Sequence, residues 1–239
     1  FRWWGYTWRH AFFDWGDSQV MDSYPVSAAN KVRQLREKAS YDRATVHAIL
    51  DAGLVVHAAF NQDGDPVVVP MIYGRDGETL YLHGARKARV IRMLESSPRC
   101  CLNVTLIDGL VLARSAFNSS MQYRSVTVFG APQLVEDPAE KLHALKVISE
   151  HSLPGRWDEL RDSHDKEVKM TGVIAVKIDA ASAKVSNKDP EDEPEDYGID
   201  IWAGVIPVTT QLGSPVDDSR LRPGLTPSAV VTRLAGRVV

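Results

Sequence analysis

The chain has 239 residues, 44% of them hydrophobic and 25% charged, enough to bury a substantial core in one large or two small domains. A net charge of −3 excludes a global basic field for nucleic acid, so any anion must be held by a local cluster. No apolar run is long enough to span a bilayer, which argues against a membrane protein.

Residues 1–20, "FRWWGYTWRHAFFDWGDSQV", hold four of the six tryptophans and differ in character from the rest of the chain. Arg2, Arg9, His10 and Asp14 interrupt any apolar core, which disfavours a secretory signal. With no methionine at position 1 and Met21 opening a more ordinary sequence, this stretch reads as an extension outside the fold, with an aromatic interfacial anchor as the alternative. Residues 21–41 are polar and basic and read as an arm lying on the domain. "YDRATVHAILDAG" predicts a helix capped by Asp42, with Val46, Ile49 and Leu50 on its buried face and Gly53 at its stop.

"LVVHAAFN" and "PVVVPMIYG" predict two strands joined by a turn carrying Asp63-Gly64. "RDGE" is a second turn, "TLYLHG" a third strand and "ARVIRMLESS" a short helix. "PRCCLNVTLI" reads as a strand that Asp108-Gly109 turns into "LVLARSAF". "QYRSVTVFGAPQLV" is a long β-branched strand in which Gly130 marks a bulge or a close backbone approach. "EDPAEKLHALKVISEH" is the clearest helix, with Asp137 as cap, Pro138 in first position, Glu140 closing a capping box and Leu142, Leu145 and Ile148 as the buried stripe. "TGVIAVKID" and "IWAGVIPVTTQL" complete the strands, and the acidic "SNKDPEDEPEDYGID" between them reads as a solvated loop. The fold domain spans 21–212, and the tail from Gly213 is expected to wrap the surface. Many closely spaced strands with few helices predict a mainly β protein, an antiparallel barrel. There is no nucleotide-binding βαβ alternation, G-x-G-x-x-G or P-loop.

The stretch with most chemistry is "YLHGARKARV", residues 81–90, where a strand ends in His83 and Gly84 before Arg86, Lys87 and Arg89. One reading is phosphate capture: Gly84 admits a close backbone approach, the next helix offers its first amides, and the cations supply charge. The other is a solvated charge run. His83 could exchange a proton near a bound ring or simply hydrogen-bond a carbonyl. In "ARSAFNSSMQYRSVTVFG", Ser115, Ser119, Ser120 and Ser125 surround Arg114, Tyr123 and Arg124, either as the polar rim of a ligand or as a serine-rich loop. Trp202 beside Gly204 could cover a flat ring or pack in the core. The histidines show no metal-ligand spacing, no metal site is expected, and no nucleophile elbow is present. The adjacent Cys100 and Cys101 read as two buried thiols, which suits a reducing, cytoplasmic setting.

Taken together, "VVVPMIYGRDGETLYLHGARKARVIRMLESSPRCCLNV", "LVLARSAFNSSMQYRSVTVFGAP", "LPGRW", "ASAKV" and "WAGVIPV" resemble the pyridoxamine 5′-phosphate oxidase-like flavoproteins over residues 24–210, and more narrowly their nitroimidazole-reductase-related branch. The resemblance implies an FMN-binding split β-barrel that pairs as a homodimer with the flavin in the groove between subunits. By the same resemblance, Pro70, Met71, Ile72 and Tyr73 run along the flavin ring. His83, Gly84 and Ala85 form the strand–turn motif, and Lys87 and Arg89 face the phosphate. Tyr123, Arg124 and Ser125 match the family's Tyr-Arg-Ser, and Trp202 with Gly204 its Trp-x-Gly near the flavin. His83 is the implied active-site residue.

The chain departs from the family at Asn118-Ser119-Ser120-Met121-Gln122, where a histidine and an asparagine often flank the Ser-Met pair. It departs again at Val185-Ser186-Asn187, where an arginine is common, and "SRLRPGL" matches the substrate motif of true pyridoxamine phosphate oxidases only superficially. The resemblance therefore implies an FMN-dependent oxidoreductase passing electrons from a reduced nicotinamide to a small planar acceptor. The alternatives are a carrier or sensor that binds flavin, haem or another tetrapyrrole without turnover and, more weakly, pyridoxamine 5′-phosphate oxidation.

Overall fold

The structure is a computed structural model and describes residues 22–238; the expectations for residues 1–20 lie outside the described residues. The arm is pinned rather than loose. Tyr24 is buried and donates from its hydroxyl to Glu78 (2.8 Å), and Asn30 Nδ2 donates to the Pro25 and Ala181 carbonyls (3.0 and 2.9 Å). A short strand β1 (Ala39–Ser40) leads to helix α1 (Arg43–Ala52), where the Asp42 carboxylate accepts from Thr45 N and Val46, Ile49 and Leu50 are buried, as the apolar spacing requires.

Strands β2 (Val55–Gln62) and β3 (Asp65–Asp76) are a hairpin closed by Asp63 and Gly64, both at positive φ (52° and 93°), the backbone that an Asp-Gly turn favours. Strand β4 (Thr79–Ala85) follows a turn carrying Gly77 at φ 54°. Helix α2 (Arg89–Ser96) then buries Ile91 and Leu94 in the main core.

The chain does not reverse at Asp108-Gly109. Strand β5 runs straight through from Cys100 to Leu112, and its pairing with β6 (Ser120–Gly130) slips between Ile107 and Gly109. Asp108 is the extra residue of a β-bulge, and pairing on both flanks of the dipeptide overrides its turn preference. Gly130 sits against the Lys177 carbonyl, where no side chain fits, and there the long strand bends into β7 (Pro132–Leu134).

Helix α3 (Pro138–Ser152) begins as expected, with the Asp137 carboxylate accepting from Glu140 N at 2.8 Å. Its buried stripe is Lys141, Ala144 and Ile148, while Leu142 is exposed. The stripe is rotated because α3 lies with its backbone on Gly74, so the close face needs a small residue such as Ala144. Helix α4 (Asp165–Met170), strands β8 (Thr171–Lys177) and β9 (Ala180–Ser186), and strand β10 (Gly204–Pro207) complete the sheet region; β10 is shorter than its apolar run suggested. The acidic segment is not simply solvated, since the Asp192 side chain is fully buried against Arg114. The tail carries helix α5 (Ala229–Leu234), which buries Leu234.

All strands pair antiparallel, in the order β1-β9-β6-β5-β2-β3-β4-β8-β7 with β10 on β5. Only Ala131 separates β6 from β7, and only Ile178–Asp179 separates β8 from β9. The chain therefore carries each end of the sheet back to the other across a corner tied by Asp179 N to Phe129 O (3.0 Å) and Ile178 N to Glu78 O (2.8 Å). The result is a mainly β split barrel around one large core.

Candidate functional site

The split lies where β3 changes partners. Residues 65–72 of β3 pair with β2, whereas 73–76 pair with β4, the last register being Tyr73 with Leu82. Beyond that point β4 stays on β8 through His83, Gly84 and Ala85. One edge of β3 and the facing edge of β4 thus diverge as a fork, and polar backbone lines both arms.

Alternation decides which side chains face the fork's outer side. Met71 and Tyr73 point into the core, where the Tyr73 hydroxyl donates to the Leu50 carbonyl and its ring lies 4.6 Å from that of His151. Pro70 and Ile72 point outward, Ile72 with 47% of its surface exposed. On β4, Leu80 and Leu82 are in the core, so Tyr81 and His83 take the outer side with Ile72. Met71 and Tyr73 can therefore offer a ligand only backbone, while Ile72 and His83 can offer side chains. His83 Nδ1 is buried without a hydrogen-bond partner, and burial holds its pKa below the usual imidazole value. The ring is neutral at neutral pH.

Gly84 has a packing role. It pairs with Gly172, and both leave room for Ile91 of α2. This seats the start of α2 beside the fork with Ala88 as an N-cap that supplies no side-chain acceptor. The basic cluster divides there. Arg86 is claimed by Glu95 through two bonds (2.9 and 3.1 Å). Arg89 donates from Nε and Nη2 to the neutral Gln62 Oε1 (2.8 and 2.5 Å), and among the described residues no carboxylate pairs with Arg89 or Lys87.

The second expected group lies elsewhere in the same chain. Tyr123, Arg124 and Ser125 are on β6, separated from β3 by β5 and β2, about 14 Å at the usual strand spacing. Arg124 is held by Asp108 (2.7 and 3.0 Å), and Ser125 Oγ joins Thr105 Oγ1 (3.0 Å) and Asn103 Nδ2 (3.3 Å). The indole of Trp202 covers Gly204, where a Cβ would fall 2.7 Å from Cζ2, and stays 67% exposed.

Asn103 and Thr105, absent from the expected site residues, share the outer sheet face with Ser125, and His57, expected only as a strand histidine, has Pro70 and Asn103 as register partners. The two-residue alternation in "CCLNVTLI" could have flagged the first two. Nothing local marks Gln62. Among the described residues no group of three or more His, Cys, Asp or Glu could hold a metal ion, and no helix is long and apolar enough to cross a membrane.

Comparison with known proteins agrees with this architecture. The family model described as pyridoxamine 5′-phosphate oxidase matches residues 42–185. The flavocytochrome Anf3 from Azotobacter vinelandii is 37% identical, with a TM-score of 0.82 over 88% of this chain and 98% of its own. An FAD and haem binding protein from Mycobacterium smegmatis is 36% identical, with a TM-score of 0.79 over 83% of this chain and 98% of its own. A candidate 5-nitroimidazole antibiotic resistance protein from Bacteroides thetaiotaomicron is 28% identical, with a TM-score of 0.53 over 62% of this chain and 86% of its own. No curated protein matches the chain. Sequence and architecture agree, and the chain belongs to the pyridoxamine 5′-phosphate oxidase family.

Proposed function

We propose that this protein binds a flavin in the fork between β3 and β4 and works as an oxidoreductase on a small planar acceptor. The observation that carries the reading is the fork itself: two diverging strand edges beside a helix start where, among the described residues, no carboxylate pairs with Lys87 or Arg89. The orphaned His83 Nδ1 is a further polar atom that a bound ligand would satisfy. When bound, the flavin supplies acceptance and release of two electrons between a reduced nicotinamide and the acceptor. The chain's part is to hold the ring along the backbone of 70–73 and the phosphate at Lys87 and Arg89. Neutral His83 would hydrogen-bond at the acceptor through Nδ1.

The working form in this reading is a homodimer. The outer sheet face exposes Val68 and Ile72, and further along it Ile206, Leu110 and Met121 pair across three strands. A second copy covering this face would remove that apolar surface from water and bring Tyr123–Ser125 and Trp202 to its partner's fork. The thiols Cys100 and Cys101, both free, fit a reducing, cytoplasmic compartment.

Resemblance points to FMN, while the Mycobacterium smegmatis relative is described as binding FAD and haem and the Azotobacter one as a flavocytochrome. FAD, and haem beside it, is therefore the second reading. The absorbance spectrum of purified protein before and after anaerobic NADPH tests all of these. A flavin spectrum that bleaches supports the oxidoreductase, and a flavin that stays oxidised favours a carrier. A Soret band adds haem, and a colourless protein that takes up no FMN or FAD overturns the proposal.

A further inference from the structure

We infer that Gln62, at the tip of the β2–β3 hairpin, is a positioning residue that holds the guanidinium of Arg89 ready for the flavin's phosphate. The inference rests on the phosphate placement proposed above. The three arginines and lysine around the start of α2 have similar sequence surroundings but different partners. Glu95 of α2 meets Arg86 with a carboxylate, so that cation, which precedes the helix, is compensated. Arg92 lies one turn further into α2. Arg89 is instead met by a side-chain amide, with Nε and Nη2 both donating to Gln62 Oε1 (2.8 and 2.5 Å).

The chemistry of that contact is specific. An arginine has five N–H donors in a planar fork. Gln62 occupies the Nε–H and one Nη2–H, which leaves both hydrogens of Nη1 and the outer one of Nη2. Those form the end-on face that suits two phosphate oxygens. Because the acceptor is neutral, the guanidinium keeps its full charge. Gln62 thus fixes a long, rotamer-rich side chain without cancelling what makes it useful, and pre-ordering of this kind lowers the entropy cost of binding. Gln62 reaches Arg89 from a strand end 27 residues earlier, so the contact ties the hairpin tip, at the end of the β3 arm, to the start of α2, which follows the β4 arm.

The test is binding of FMN and of riboflavin to apoprotein by fluorescence quenching, for wild type, Q62A, R89A and the double variant. Riboflavin lacks the phosphate, so a loss of general structure moves both ligands and a loss of phosphate positioning moves FMN alone. Q62A is expected to weaken FMN about fivefold to tenfold, the scale of one hydrogen bond, with riboflavin unchanged. R89A should weaken FMN more, and adding Q62A to R89A should have no further effect. Q62E, which keeps the contact but compensates the charge, should also weaken FMN and spare riboflavin. If R89A weakens FMN while Q62A does not, or if Q62A weakens both ligands alike, the role of Gln62 is overturned and the phosphate placement stands. If R89A leaves FMN affinity unchanged, the phosphate placement falls and this inference with it.

Discussion

A methyl group on Gly84 would lie 3.2 Å from Cγ1 of Ile91, and one on its register partner Gly172 would lie 2.6 Å from Cγ2 of the same side chain. The pair of glycines is the seat on which α2 rests, and α2 sets where Lys87 and Arg89 stand. Gly84→Ala meets only a side chain that can shift, so it should cost little. Gly172→Ala also meets the Arg86 Cα at 3.2 Å, and overpacking there should cost about 1–3 kcal/mol. Urea unfolding of both variants checks the order; equal stability of Gly172→Ala and wild type would show that α2 is not seated this way.

The Asp192 carboxylate, with no exposed side-chain surface, accepts from Arg114 N and Arg114 Nη1, each at 2.9 Å, and Tyr197 lies against the same guanidinium. Asp192→Ala would leave Arg114 without its counter-charge, and removing one partner of a buried pair costs about 3–5 kcal/mol. Arg114 keeps about a fifth of its side chain exposed, so the lower end is expected. Glu193→Ala and Glu195→Ala, both exposed on the same segment, should shift stability by no more than about 0.5 kcal/mol. Chemical denaturation of the three variants separates one anchoring carboxylate from its solvated neighbours.

Burial lowers the His83 pKa from its ordinary 6.5, and burial is also the largest cause of the lowered value at His47. For a base held below its unfolded value, the unfolded chain takes up the proton first as pH falls. Stability is therefore full above about 6.5 and declines as pH drops toward the folded value. His83→Gln removes one such group, so its stability should fall less steeply between pH 7 and pH 5 than that of wild type. Identical slopes in unfolding titrations would mean that His83 is solvated.

The division of the basic cluster predicts a division of effect. Lys87→Ala should weaken FMN binding by about 1.5–3 kcal/mol, the range for a hydrogen bond to a charged group. Arg86→Ala removes a cation already paired with Glu95, and it should leave FMN affinity within about twofold while costing less than about 1 kcal/mol of stability. Titrations of FMN into the two apoproteins decide it; equal losses would mean that the Glu95 pair opens on binding.

Features governed by residues within a turn of one another were legible in the sequence. Asp42 and Asp137 cap their helices, and Asp63-Gly64 closes its hairpin, because each depends on local backbone and side-chain geometry. The strand pattern and the motif around His83 were enough to mark the family. Contacts between distant segments were not legible. Asp108-Gly109 carries a turn signal, yet β5 continues through it because strand pairing on both sides outweighs a local preference. The α3 stripe moved to Lys141, Ala144 and Ile148 because Gly74 lets the helix backbone approach. The residues 81–90 read as one basic run after a glycine, and only folding separated Arg86 on Glu95 from Arg89 on Gln62 and filled the space beside Gly84 with Ile91. The fork likewise exists only because β3 serves two neighbours in succession. Strand order and side-chain partners are set by how the barrel closes, across separations that no local pattern encodes.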